Sequence, residues 1–195
     1  MSKGQATKEA ILDEAVGIAS RVGFNGLTIG QLAESTGMSK SGLFAHFRSK
    51  EALQLETLER GRERFTDLVI RPTLSAPRGV ERVRTLFESW LTWETAALEG
   101  GCVFVAGSVE YDDQPGPMRD ALVRNQQDWA DFIATVAGTA VSEGHFRADL
   151  DLQQFTFTLQ GLMYAYHHSA RLLRDPRALD LTRAALEQLL EASAA

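Results

Sequence analysis

The sequence has little of what would set it apart from ordinary globular proteins. Its one cysteine, Cys102, excludes an internal disulfide framework and suits a reducing compartment, the cytoplasm. That thiol reads as a small buried apolar residue or, alternatively, as a redox sensor or nucleophile. No apolar run approaches the roughly 18 residues of a membrane span, so no membrane partner is expected. The first ten residues, MSKGQATKEA, lack the apolar stretch of a signal peptide. A glycine-rich phosphate loop, GxSxG and HExxH are all missing, which argues against an enzyme. There is no internal repeat, and no low-complexity segment beyond a short alanine tail.

What remains is 195 residues, 44% hydrophobic and 24% charged, enough for one or two domains with a real core. The net charge of −6 is unevenly spread. Residues 1–50 hold six Lys and Arg against four acids, a net of +2, which leaves −8 on the remainder. That asymmetry predicts an anionic partner for the first part only.

Nearly every segment has helical periodicity. TKEAILDEAVGIASRV sets Ile11, Ala15, Ile18, Ala19 and Val22 on one stripe, with Thr7 as cap and Gly23 as stop. Phe24 and Leu27, in the turn GFNGL, are expected to plug the core. Thr28 caps a second helix in a capping-box pattern with Gln31, and Gly37 ends it. Ser39 caps a third, from Lys40 to about Phe47, and Ser49 a fourth that ends near Val69. The prolines and Gly79 of RPTLSAPRG mark the expected internal boundary. Further helices are predicted over about 78–98, 116–143, 151–173 and 176–192. VFV, 103–105, reads as helix, irregular turn or short strand.

Two short helices joined by the tight turn TGMS form the geometry of a helix-turn-helix, in which the second helix enters the DNA major groove. Ser39, Ser41 and Gly42 are small enough for close approach to the duplex. The helix start favours phosphate through its open amides and dipole. Lys40 can reach a phosphate or a guanine edge. Thr28 and Lys50 can supply further phosphate contacts. Phe44 and His46 face the duplex or its flank, while Leu43 and Phe47 anchor the helix to its scaffold.

TIGQLAESTGMSKSGLFAHFRSKEAL, Thr28 to Leu53, closely resembles the DNA-binding signature of the TetR family of bacterial transcriptional repressors. Thr28, Leu32, Ala33, Gly37, Ser39, Leu43, His46, Phe47, Ser49, Lys50, Glu51 and Leu53 sit in register with it. AILDEA and GFNGLT also look like the family's first helix and turn, so the resemblance covers about residues 5–55. It departs at Phe44, where the family often has a tyrosine whose hydroxyl meets a phosphate.

The resemblance implies an all-α chain. A three-helix DNA-binding domain would occupy residues 1–50, and an effector-binding and dimerisation domain 51–195, with helix 49–69 connecting them. It further implies a homodimer made by the last two helices, a palindromic double-stranded operator, and a small-molecule effector of unknown identity. No cofactor and no metal are implied. The sign of regulation depends on where the operator lies relative to a promoter.

The residues support this independently. In 151–173, Phe155, Leu159, Leu162 and Tyr166 form one apolar stripe, and other apolar residues lie on another face. Leu186 and Leu190 belong to a second stripe in 176–192. These six are the expected dimer contacts, although both helices could instead finish a monomeric core. A dimer reads two half-sites about 34 Å apart. Aromatics and polar-tipped side chains suited to a ligand pocket are Trp90, Trp93, Phe104, Tyr111, Trp129, Phe132, Tyr164 and His168. His167 and His168 point about 100° apart on a helix, so one metal ion would not readily take both. The acids of EYDD (Glu110, Asp112, Asp113) read as a solvated helix end.

Overall fold

The computed structural model describes residues 3–195, so the first two residues of the predicted DNA-binding segment lie outside the described part. Among the described residues every regular element is helical, apart from an isolated antiparallel bridge between Phe146 and Ala194.

Helix α1 (Lys3–Gly26) kinks at Gly23, whose φ of 75° is open to glycine and strained for other residues. It is followed by α2 (Ile29–Thr36), α3 (Lys40–Phe44) and α4 (Lys50–Phe65). Three of the four caps read from the sequence are formed; the fourth, Thr7, lies inside α1, which already begins at Lys3. Thr28 Oγ1 accepts from the Gln31 amide at 3.2 Å, Ser39 Oγ from Gly42 at 3.1 Å and Ser49 Oγ from Ala52 at 3.0 Å. Gly37, with φ 66°, closes α2. α3 ends at Phe44, shorter than the predicted run to Phe47.

α4 is not followed by a break at Pro72. The chain passes through a π-helical segment, Thr66–Ile70, into α5 (Arg71–Ser75). Pro72 lies in the first turn of α5, where its missing amide breaks no hydrogen bond. The break comes instead at residues 76–79, before α6 (Val80–Thr92). A second π-helical segment, Trp93–Ala97, ends that helix. α7 (Val103–Glu110) takes in VFV and disposes of the strand alternative. α8 (Pro117–Ser142), α9 (Leu152–His167), a third π-helical segment at His168–Leu172 and α10 (Ala178–Ser193) complete the chain.

Packing divides the chain into two compact units. The first holds the residues up to Thr66 together with Thr95–Asn125, and the second Asp67–Glu94 with Gln126–Ala195. The sequence boundary at residue 50 is therefore not where packing divides the chain: α4 and α7 both belong with the amino-terminal helices. Two of the crossings between units, at Thr66/Asp67 and Glu94/Thr95, fall inside π-helical segments.

In the first unit, Ile11, Ala15, Ile18, Leu27, Leu32, Leu43, Phe47 and Leu53 form one buried cluster. α1 is covered by both α4 and α7, so its buried face is wider than one stripe. Val16 joins the core, and Val22, expected inside, is exposed. Arg60 on α4 holds both carboxylate oxygens of Asp13 on α1 at 2.8 Å. Phe104 on α7 meets Phe65 edge to face at 5.5 Å. In the second unit, α9 packs on α10, and α6 is tied to α10 by Arg84–Glu187 and Arg183–Glu88.

Candidate functional site

The turn between α2 and α3 leaves a small polar face open. Thr28, Ser39, Lys40 and Ser41 are exposed, and Phe44 is 60% exposed although it is a large apolar residue. Gly42 and His46 are half-buried, with Gly42 packed against Ser39 and Met38. Leu43 and Phe47, one turn apart on the opposite face, are buried in the core of the first unit. α3 is therefore anchored by two apolar side chains and presents small, hydroxylated and cationic groups outward. A five-residue helix has no stability of its own, so this orientation comes from the packing. The structure brings Thr28, Ser39, Lys40, Ser41, Gly42 and Phe44 onto the two successive short helices and their caps. Lys50 differs in one respect: its Nζ donates to the carbonyl of Asn25 at 2.5 Å, so it also braces the fold.

That contact belongs to a network the sequence did not reveal. The turn around Phe24 and Asn25 is gripped from α4 and α7. The Glu110 carboxylate accepts from the amides of Phe24 and Asn25, each at 2.7 Å. Tyr111 donates its hydroxyl to Asn25 Oδ1 at 2.9 Å, and Gln54 donates to the Phe24 carbonyl at 2.7 Å. A Cβ at residue 23 would lie 2.7 Å from a Glu110 oxygen, so any other residue would push this carboxylate aside as well as strain φ. The reading of EYDD as a solvated helix end is thus wrong for Glu110. A carboxylate at the last position of an apolar helix, facing a glycine turn elsewhere in the chain, has no signature in spacing.

Burial, and then the neighbouring Glu110 charge, push the Tyr111 hydroxyl up to about 12. The folded state therefore keeps this proton longer than the unfolded chain, whose phenol titrates at about 10. Its contribution to stability is complete below that pH and is lost as pH rises towards 12. Alkaline unfolding followed at increasing pH should show this loss, and Tyr111→Phe should remove it. An identical alkaline profile for the variant would contradict the assignment.

The eight candidate pocket residues do not form one cluster. Trp90 and Trp93 are buried in the second unit. Trp129 and Phe132 stack at 6.0 Å along α8 and are half-buried. Tyr164 and His168 are exposed, and Tyr164 donates to Gln126 Oε1 at 3.4 Å. Phe104 and Tyr111 belong to the first unit, packed on Phe65 and bonded to Asn25. Five of the six candidate dimer residues, Phe155, Leu159, Tyr166, Leu186 and Leu190, are buried inside this chain, and Leu162 is half-buried. They face the chain's own core because α9 and α10 pack on each other and on α6. The exposed stripe of α9 and of the π-helical turn that follows it is a different one: Phe157, Gly161, Tyr164 and His168. Sequence reasoning also missed Glu94, a buried carboxylate 2.8 Å from His167 Nδ1. Its only sequence signal is an acid in register with Phe87 and Trp90.

Residues 11–57 match the family model for bacterial regulatory proteins of the tetR family, and residues 79–186 the one for the tetracyclin repressor-like C-terminal domain. The chain belongs to the TetR family. It is thus a DNA-binding transcriptional regulator with an amino-terminal helix-turn-helix and a helical C-terminal domain, and not an enzyme. It is 45% identical over 53 residues to the regulator RutR of Escherichia coli, a match that spans only 25% of that protein. With the regulator SrpR of Pseudomonas putida it shares 23% identity over 91% of this chain and 81% of SrpR. Among solved structures, a TetR regulator from Chloroflexus aurantiacus superposes with a TM-score of 0.86 at 23% identity, covering 98% of this chain and 96% of that one. AibR, solved with isovaleryl coenzyme A and operator DNA, gives a TM-score of 0.67 at 21% identity over 82% and 85% of the two chains. A regulator from Saccharomonospora viridis, solved with choline, gives 0.80 at 23% identity over 96% of both. Among the described residues, no helix of this TetR-family regulator is long and apolar enough to cross a membrane.

Proposed function

We propose that this regulator is a ligand-responsive repressor that binds a palindromic operator as a homodimer. The observation that supports this most is the exposed face of Thr28, Ser39, Lys40, Ser41 and Phe44, held outward by the buried Leu43 and Phe47. Lys40 and Lys50 would neutralise phosphates, Thr28 and the serines would donate to backbone oxygens, and Phe44 would pack on sugar or base edges. Replacing Lys40 by alanine is then expected to weaken binding to all DNA sequences. The log–log salt dependence should become shallower by about 0.9. A mobility-shift series across salt concentrations measures this, and an unchanged slope would contradict the phosphate role.

The homodimer is proposed to form through the exposed stripe of α9. Phe157, Gly161, Tyr164 and His168 follow one another at spacings of four, three and four, which puts them on one helical face. A Cβ at Gly161 would meet nothing within 4 Å, so the stripe has room for a close helix partner. Leu181 on α10 is exposed as well. Two copies of such a face make an isologous contact.

The effector is proposed to be a small organic molecule, the class of compound with which AibR and the Saccharomonospora viridis regulator were solved. It would bind the DNA-incompetent state more tightly and so lower operator affinity, with operator DNA lowering ligand affinity by the same factor. α4 carries the change by leading out of the first unit at Thr66. Thr95–Asn125 carries it back, because Glu110 and Tyr111 grip the turn before α2.

A further inference from the structure

The second unit buries a carboxylate in aromatic surroundings. Glu94 is 1% exposed, and His167 Nδ1 lies 2.8 Å from its Oε1. Phe87, Trp90 and Glu94 follow at spacings of three and four along α6 and its π-helical end, which lines them up on one side. Met163, Tyr166 and His167 come from α9. Phe87 and Trp90 have ring centroids 6.1 Å apart, and Trp90 meets Tyr166 nearly edge to face at 6.0 Å. Burial first, and then the Glu94 charge, raise the Tyr166 hydroxyl above its ordinary value, so this ring lies in the field of the carboxylate.

Both helices leave α geometry at this contact. Glu94 is the second residue of the π-helical segment Trp93–Ala97, and the segment His168–Leu172 begins immediately after His167. Such turns are uncommon and occur frequently at functional sites. Core packing alone asks for none of this. A buried carboxylate loses its hydration, and an apolar side chain of similar volume in its place is often neutral or stabilising.

We infer that Glu94 is the counter-ion of an effector site for an organic cation, whose ammonium head takes the place of the His167 imidazole beside Glu94 and packs against Trp90 and Tyr166. The inference rests on the effector reading above and adds the charge class of the ligand. Aromatic faces attract quaternary ammonium groups through their quadrupoles, and a buried anion strengthens that attraction where water is scarce. A divalent metal would need a fuller set of ligands. Among the described residues no group of three or more His, Cys, Asp or Glu gathers. The position also has a consequence for signalling. The chain passes from the second unit to the first directly after Glu94 and then leads to Glu110, which holds the turn before α2.

The test is calorimetric titration of the full chain with tetramethylammonium, tetraethylammonium and benzyltrimethylammonium. Neutral 3,3-dimethylbutan-1-ol and anionic pivalate serve as controls. At least one ammonium ion is expected to bind while both controls do not. Glu94→Gln should weaken that binding by about tenfold or more, and Glu94→Asp should retain part of it. His167→Ala, which vacates the place beside the carboxylate, should tighten it; its failure to do so would overturn the displacement of the imidazole. Circular dichroism checks that each variant is folded, and Trp90→Leu, with a weaker interaction expected, replaces any that is not. Failure of all three ions to bind the wild-type chain at millimolar concentration would overturn the inference, as would binding that Glu94→Gln leaves unchanged. A neutral or anionic compound that releases operator DNA, with no ammonium effect, would overturn the cation and leave the effector reading standing. Ammonium binding that depends on Glu94 but leaves operator affinity unchanged would support the site and count against its role as the effector's.

Discussion

Leu43→Ala is expected to lose most operator binding while leaving the second unit folded. Leu43 is fully buried in the cluster that includes Leu27, Leu32, Phe47 and Leu53, and it belongs to a helix of only five residues. Truncating it removes a buried isobutyl group and leaves a cavity, at about 3 kcal/mol for such sites. Nothing within α3 can compensate, because a single helical turn is unstable alone. The loss therefore falls on the population of the DNA-competent head, and apparent affinity falls with that population. Each 1.4 kcal/mol is about a decade of affinity, so a drop approaching a hundredfold is expected. Operator titration and ligand titration of the same variant separate the units: DNA binding should collapse and effector binding should persist. Unaltered DNA affinity would show that α3 does not depend on this anchor.

Gly100→Ala is expected to destabilise the first unit more than any other single-methyl addition considered. A Cβ at this position would lie 1.8 Å from the carbonyl oxygen of Ser20 and 2.5 Å from the amide nitrogen of Arg21. Both are backbone atoms of α1, which cannot step aside as a side chain can. The Gly100 amide also donates to the buried Ser20 Oγ at 3.1 Å, and that hydrogen bond would be stretched or lost. Overpacking of this kind costs about 3 kcal/mol or more. In a chain of this size that lowers Tm by roughly 10 °C. Gly17→Ala is the matched control, since a Cβ there meets nothing within 4 Å and the residue lies inside α1. It should stabilise by up to about 1 kcal/mol. Thermal unfolding of the pair should give shifts of opposite sign. Equal shifts would show that Thr95–Asn125 is not seated on α1 as described.

The amino-terminal helices were legible because local chemistry determines them. Thr28, Ser39 and Ser49 cap their helices through hydrogen bonds three residues away, and Gly37 closes α2 through a backbone angle. Such signals need no knowledge of the rest of the chain. Leu43 and Phe47 could be placed inside, and Phe44 outside, from spacing alone. The larger misses involve distant partners or a change of helical period. Pro72 was read as a stop because the π-helical turn that lets the chain enter α5 leaves no mark in composition. Glu110 and Glu94 were overlooked because their partners, the Phe24 and Asn25 amides and His167, lie more than 70 residues away. Which stripe of α9 is buried within the chain was hidden for the same reason. α9 is apolar on two faces, and only the packing shows that Phe155, Leu159 and Tyr166 are used within the chain.

The central claim is that the α3 face reads double-stranded DNA in pairs. Selection of bound duplexes from a random pool by the purified full chain tests it most directly. The account predicts enrichment of an inverted repeat whose half-sites lie about 34 Å apart or a little more, and loss of that enrichment with Leu43→Ala. A pool that remains random, or one enriched for a single unrepeated half-site, would contradict it.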